Sequence, residues 1–287
     1  MTPSPIFTFS SRFANNAVFI VDLLGPDDLQ TARRLSEDLV SLKMSDGSPY
    51  CHYEKPKSIA ELRSFLTWIE SQCDAGLRPI VHFESHGSQN DGLQIGMSGE
   101  VISWIEVSEH LLRVNTITEN NLGIVMAACF GFYAISSITI KKPAPFYFLI
   151  GSTDEVSAGY IQDNMVKFYR SLFDQRSLDD AMTQVEQQFQ QFHSERFFCI
   201  GFGKYLKQKC AGAGALRRVE GMISSVFASG VPRSRENLRA LRRSAKNFVK
   251  SSDRQRDAFY KVARFFLHGK VPMDFDAFER FVKRTDA

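Results

Sequence analysis

Residues 17–22 read AVFIVD. The run has no polar break before Asp22 and is rich in β-branched and aromatic side chains. A strand covered on both faces needs that composition, whereas a strand wet on one side alternates apolar and polar. Similar runs follow at PIVHF (79–83), LGIVMAA (122–128) and PFYFLI (145–150). FFCIGF (197–202) reads as a further buried strand and PYCHY (49–53) as a short one.

Helical spacing fills the intervals. Leu29, Ala32, Leu35, Leu39 and Leu42 recur three and four apart. Ser58 and Glu61 form a capping box that opens a helix with Ile59, Leu62, Phe65, Leu66 and Ile69 on one face. Helices are also read near 105–113 and over GFYAISSITI (131–140). Two more carry the stripes Met165, Phe168, Tyr169, Leu172 and Leu178, Ala181, Met182, Val185, Phe189. GLQIG and EVISW read as a small exposed hairpin. Strands alternating with helices predict an α/β fold: a three-layer sandwich around a six-stranded, mostly parallel sheet.

Bulk properties bound the rest. A chain of 287 residues suits one large domain, or one domain with an appendage. Hydrophobic residues make up 44% and charged residues 23%, as in a water-soluble globule. No apolar run approaches the roughly 20 residues of a membrane span. MTPSPIFTFSSRF lacks the basic start and apolar centre of a signal peptide. The five cysteines are scattered without a CxxC pair, which argues against a zinc site or a disulfide framework. That usage fits a reducing compartment, so a cytoplasmic location is expected.

Charge is unevenly spread. Residues 1–210 hold 18 Lys/Arg against 24 Asp/Glu, and residues 211–287 hold 17 against 8. The change falls at the Gly-rich stretch KCAGAGALRR, dividing the chain into a main domain (1–210) and a basic helical region (211–287). Leu238, Leu241, Ala245, Phe248 and Val249 form one helical stripe there; Phe259, Val262, Phe265 and Phe266 form a second. Phe275, Phe278, Phe281 and Val282 mark a short last helix. Arg233, Arg235, Arg239, Arg242, Arg243, Lys246 and Lys250 make either a solvated face or a surface for an acidic protein or nucleic acid. The aromatic residues follow the apolar stripes and not the basic face, which argues against nucleic acid.

In open α/β sheets ligands sit at the carboxyl ends of strands. That rule directs attention to residues 22–24, 84–88, 129–131 and 151–155. No GxGxxG follows the first strand and no GxxxxGK[ST] occurs, so no dinucleotide or P-loop nucleotide site is expected; with no CxxC pair either, no cofactor and no metal is expected. Just past the 79–83 strand stand His86 and Gly87; just past the 122–128 strand stands Cys129. If the two strands are neighbours, their ends lie about 5 Å apart. Histidine can take the proton of a thiol and later protonate a leaving amine. Glycine beside it lets backbone N–H groups approach an oxyanion. Alone, Cys129 would read as core, since free cysteine is among the most buried residue types. Cys51, Cys73, Cys199 and Cys210 have no such partner, and His82, inside a strand, reads as a packed histidine.

The pair VHFESHG (81–87) and IVMAACFG (124–131) resembles the two motifs of the caspase-like clan of cysteine peptidases. His86 and Cys129 are 43 residues apart, within that clan's usual range. Residues 150–186, IGSTDEVSAGY through SLDDAMTQVE, are similar to the region after the cysteine in the CHAT-type, separase-like branch. The resemblance covers roughly residues 15–205. It implies that Cys129 is the nucleophile, His86 the general acid/base, and the N–H groups of Gly87 and Cys129 the oxyanion hole. It also implies a pocket for the residue preceding the cut bond (P1), with Asp22, Asp154 or Glu155 as its acid, and hence cleavage after Arg or Lys. By the same resemblance the substrate is a protein, such as a pore-forming or stress-response effector. Cleavage would follow activation by a protein partner, in bacterial stress or antiviral defence. Phe130 departs from the clan, where many relatives carry a small or polar residue. The alternative is a non-catalytic scaffold that binds a protein or nucleic acid through its basic tail.

Overall fold

The computed structural model describes residues 13–284; the start of the chain read for a leader, residues 1–12, lies outside them. β1 (Ala17–Asp22), α1 (Thr31–Leu39), β2 (Cys51–Glu54), α2 (Ile59–Asp74) and β3 (Pro79–Glu84) open the chain. Three short strands follow, β4 (His86–Ser88), β5 (Gly92–Gln94) and β6 (Val101–Ile102), then α3 (Trp104–Ile117) and β7 (Gly123–Ala127). Next come β8 (Phe148–Gly151), α4 (Ala158–Gln175), α5 (Leu178–Met182) and β9 (Gln190–His193).

The main sheet has six strands in the order β2-β1-β3-β7-β8-β9. All neighbours are parallel except β9, which runs antiparallel to β8. The fold is therefore α/β with a mostly parallel sheet. Every residue of β1, β3, β7 and β8 is buried, as their unbroken apolar runs require. Alternation along β1 assigns the faces. Val18 and Ile20 share a cluster with Leu35 and Leu39 of α1 and with Met165, Phe168 and Leu172 of α4. Phe19 points to the other face, against Phe65 and Trp68 of α2. Burying one such side chain contributes about 1.5–3 kcal/mol, so the two layers hold the strand from both sides. α2 starts as its capping box requires: the Ser58 hydroxyl accepts the Glu61 N–H at 3.2 Å.

Several elements differ from expectation. Residues 197–202 are not a strand; they lie in α6 (Ser194–Cys210). A six-residue apolar run suits a buried helix as well as a strand, and here the spacing of four decides. Phe198 stacks on Phe202 at 5.7 Å, and both meet Phe259. The last strand is instead QQFH, β9, whose exposed Gln190 and Gln191 hide it in the sequence. GFYAISSITI forms only a 3-10 turn over Gly131–Ile135. α5 stops at Met182, although Val185 and Phe189 beyond it are still buried. The hairpin is a three-stranded sheet, β4-β5-β6, which includes His86 and Gly87.

The chain divides into two compact units, up to Ser194 and from Glu195 onward. The second holds most of α6, then α7 (Gly212–Ala228), α8 (Arg235–Lys250), α9 (Ser252–Phe266) and α10 (Phe275–Arg284). Its core includes Phe198, Phe202, Phe259, Phe266, Phe275 and Phe278, all buried, whereas Phe265 is exposed. Residues 195–287 carry 21 Lys/Arg and 9 Asp/Glu, net +12; residues 1–194 carry 14 and 23, net −9. No helix among the described residues is long and apolar enough to cross a membrane.

Candidate active site

β3 and β7 are adjacent and in register from Ile80 with Gly123 to Glu84 with Ala127. Their carboxyl ends therefore deliver the next residues, His86–Gly87 and Cys129, to one place on the sheet rim. The approach is close. A Cβ built on Gly87 would stand 2.1 Å from the Cys129 carbonyl oxygen and 3.3 Å from the Ala128 Cβ. Only glycine fits there, so the His-Gly pair is pressed against the cysteine's own peptide.

Backbone geometry fixes the thiol. Phe130 has φ 58°, left-handed for a bulky residue, and its N–H donates to the Asp154 carbonyl at 3.0 Å. Left-handed non-glycine residues cost of order 1–3 kcal/mol and persist where the surroundings enforce them. The turn sets the half-buried Cys129 against Val156, whose N–H donates to Sγ at 3.4 Å. The thiol lies 3.8 Å from the Val156 carbonyl. The two contacts to Val156 fix the position of the sulfur at the sheet rim. No acceptor among the described residues takes the Cys129 N–H.

His86 is exposed, and its Nε2 lies 2.9 Å from Asp28 Oδ1. A carboxylate on Nε2 holds the proton there and leaves Nδ1 as the basic nitrogen. Asp28 comes from the turn after β1, and the Gly25 N–H donates to its Oδ2 at 2.7 Å. Burial pushes the Asp28 carboxyl up. The hydrogen bonds from His86 and Gly25, with the charges of His86 and Lys55, outweigh this and hold it below its usual value. Sequence reasoning missed Asp28. Its only signal is position, in GPDD at the sheet's switch in strand order between β1 and β3. His86 and Cys129 do not hydrogen-bond to each other in this state.

The three acids proposed for a substrate pocket differ. Asp22 is 0% exposed and fully engaged: Leu24 N–H donates to Oδ1, and Tyr53 hydroxyl and Lys55 Nζ donate to Oδ2. Asp154 and Glu155 are exposed, and Asp154 serves the site through its carbonyl. His82 is a packed core residue, with Nδ1 2.9 Å from the Tyr169 hydroxyl and Nε2 3.2 Å from Glu84 Oε1. Thr31 donates to the other Glu84 oxygen, anchoring the strand beneath His86.

Three of the four remaining thiols are held inert by burial, and Cys210 is not among them. Burial pushes Cys51 and Cys73 up to about 12 and Cys199 higher still, so they stay protonated and inert near neutral pH. Among the described residues no three His, Cys, Asp or Glu side chains converge to hold a metal ion. Compared with models of protein families and with curated proteins, the chain matches none.

Proposed function

We propose that the chain is a cysteine endopeptidase in which Cys129 is the nucleophile, His86 the acid/base and Asp28 its orienting carboxylate. The observation that carries this is the contact of Gly87 with the Cys129 peptide, which brings the His-Gly and Cys motifs to one point on the rim. In the proposed reaction His86 Nδ1 takes the thiol proton and the thiolate attacks the scissile carbonyl carbon. The resulting oxyanion is met by the N–H groups of Cys129 and Gly87. Imidazolium then protonates the leaving amine as the C–N bond breaks, giving a thioester. Water, deprotonated by His86, hydrolyses the thioester and restores the thiol. A ground-state structure without the Cys–His hydrogen bond is compatible with this, since such contacts often tighten only with substrate.

A protein substrate cut after Arg or Lys follows from the resemblance to CHAT-type peptidases, with Asp22 as the pocket acid. A cytoplasmic, partner-activated enzyme that switches on a pore-forming or stress-response effector in bacterial stress or antiviral defence rests on the same resemblance. A second reading, a scaffold acting through its helical unit, draws on α8. Arg235, Arg239, Arg243, Lys246 and Lys250 there are exposed on one face, and among the described residues only Arg242 of this helix is ion-paired, to Glu220. The deciding experiment compares wild type and Cys129→Ala on peptides varied at P1, with an electrophilic probe and intact mass. Cysteine-dependent turnover and labelling at Cys129 support the peptidase. A folded protein inert both alone and with candidate partners favours the scaffold.

A further inference from the structure

The acid proposed for the pocket already holds a cation. Lys55 Nζ lies 2.8 Å from Asp22 Oδ2, and the Tyr53 hydroxyl is 2.5 Å from the same oxygen. Both donors come from the end of β2, beside β1. Lys55 keeps 28% of its side chain exposed while that of Asp22 is 0% exposed, so the ammonium group covers the carboxylate on its solvent side.

The same nitrogen donates to Gln30 Oε1 at 3.2 Å. Gln30 in turn donates through Nε2 to the carbonyls of Gly25 and Asp28, both at 2.9 Å. The Gly25 N–H donates to Asp28 Oδ2 at 2.7 Å, and Asp28 Oδ1 holds His86. A series of polar contacts thus runs from Asp22 through Lys55 and Gln30 to the backbone of Gly25 and Asp28, and from the Asp28 carboxylate to the imidazole.

We infer that Lys55 is a built-in occupant of the P1 pocket, displaced by the basic side chain of the substrate, and that the exchange is transmitted to His86 through Gln30 and Asp28. The inference rests on the proposed role of Asp22. Lys55 meets two acceptors, Asp22 Oδ2 and Gln30 Oε1, with one compact ammonium. A guanidinium presents a planar fork of donors and satisfies two acceptors at once, so arginine is the better competitor and the preferred P1 residue. Lysine at P1 would only exchange like for like. The half-covered position of Lys55 raises the KM of the resting enzyme and suppresses cleavage of poor substrates.

The test separates binding from chemistry. Agmatine, a small guanidinium compound, is titrated by calorimetry into full-length Cys129→Ala and into Cys129→Ala/Lys55→Met. Thermal melts check that both fold. The double variant is expected to bind agmatine at least about tenfold tighter, and adding Asp22→Asn to abolish the gain. With Cys129 restored, Lys55→Met is expected to lower KM for Arg peptides more than it changes kcat. Agmatine binding that is unchanged or weaker in a folded Lys55→Met protein overturns the inference. If that variant does not fold, Lys55→Arg replaces it; its fork should hold both acceptors and weaken agmatine binding about tenfold, and no weakening overturns the inference. Lys55-dependent agmatine binding without any turnover counts against the peptidase alone. Cys129-dependent turnover with agmatine indifferent to Lys55 counts against the inference alone.

Discussion

Gly87 lies against the peptide of Cys129 so closely that a Cβ on it would meet the Cys129 carbonyl oxygen at 2.1 Å. The obstacle is backbone, not the free end of a side chain, so the two strand ends must part to admit even a methyl group. Gly87→Ala is expected to cost about 1–3 kcal/mol of stability, the usual penalty for overfilling a tight site. Turnover should fall by about a hundredfold or more, because a displacement of order 1 Å is enough for that. Thermal melts and peptide kinetics measure both; an active, fully stable alanine variant would falsify the proposed site geometry.

Asp28→Asn keeps the shape of the orienting group and removes its charge. The amide presents either oxygen or nitrogen to His86 Nε2, so the imidazole loses its fixed tautomer. A fall in kcat/KM of up to about a hundredfold is expected, at the lower end of what a positioned acid/base supplies. Stability should depend on pH in a defined direction. The Asp28 carboxyl is held below its ordinary 3.8, so its contribution is present above that pH and drains away as pH falls through the lower folded value. Acid-unfolding curves of wild type and Asp28→Asn should converge at the acid end and separate above it.

Alkylation with iodoacetamide at neutral pH should sort the cysteines. Cys129 is half-buried, with an N–H on its sulfur; Cys210 is half-buried, with Arg218 Nη1 3.2 Å from its sulfur. Both are expected to react, and peptide mapping should show Cys51, Cys73 and Cys199 protected until the chain unfolds. Burial pushes Cys51 and Cys73 up from 9.0 to about 12. The folded state therefore holds protons that the unfolded state has lost, and stability should decline as pH rises from about 9 towards 12.

Phe202 stands between Phe198, Phe259 and Phe278, with ring centroids 5.6–5.7 Å away. Phe202→Ala leaves a large void in the helical unit and should cost about 3–5 kcal/mol. Hydrogen exchange mapped along the chain should locate the loss after Glu195. Uniform loosening of β1, β3 and β7 would contradict a separate core for this unit.

Legibility in the sequence followed the physics of each element. β1, β3, β7 and β8 are buried on both faces, so their residues alone announce them. β9 is an edge strand led by two exposed glutamines, and nothing local distinguishes it from a loop. The 197–202 run is apolar enough for either state, and the helix shows only once Phe198 and Phe202, four apart, are seen to meet Phe259 together. His86 and Cys129 could be nominated because strand ends are where such sheets place ligands. Asp28 could not be singled out, because it reaches His86 across 58 residues through the fold. Asp22 was visible as a strand-end acid, but its cover by Lys55 depends on β2 lying beside β1.

The division after Ser194 has a practical consequence. With −9 on one side of it and +12 on the other, the isoelectric point of about 8.5 describes neither part. At neutral pH the protein should be retained by anion- and cation-exchange resins alike. In dilute buffer the acidic part of one molecule attracts the basic part of the next, so turbidity should appear on desalting. It should clear as added salt shortens the screening length, about 10 Å at 0.1 M, which makes this a chain that salts in.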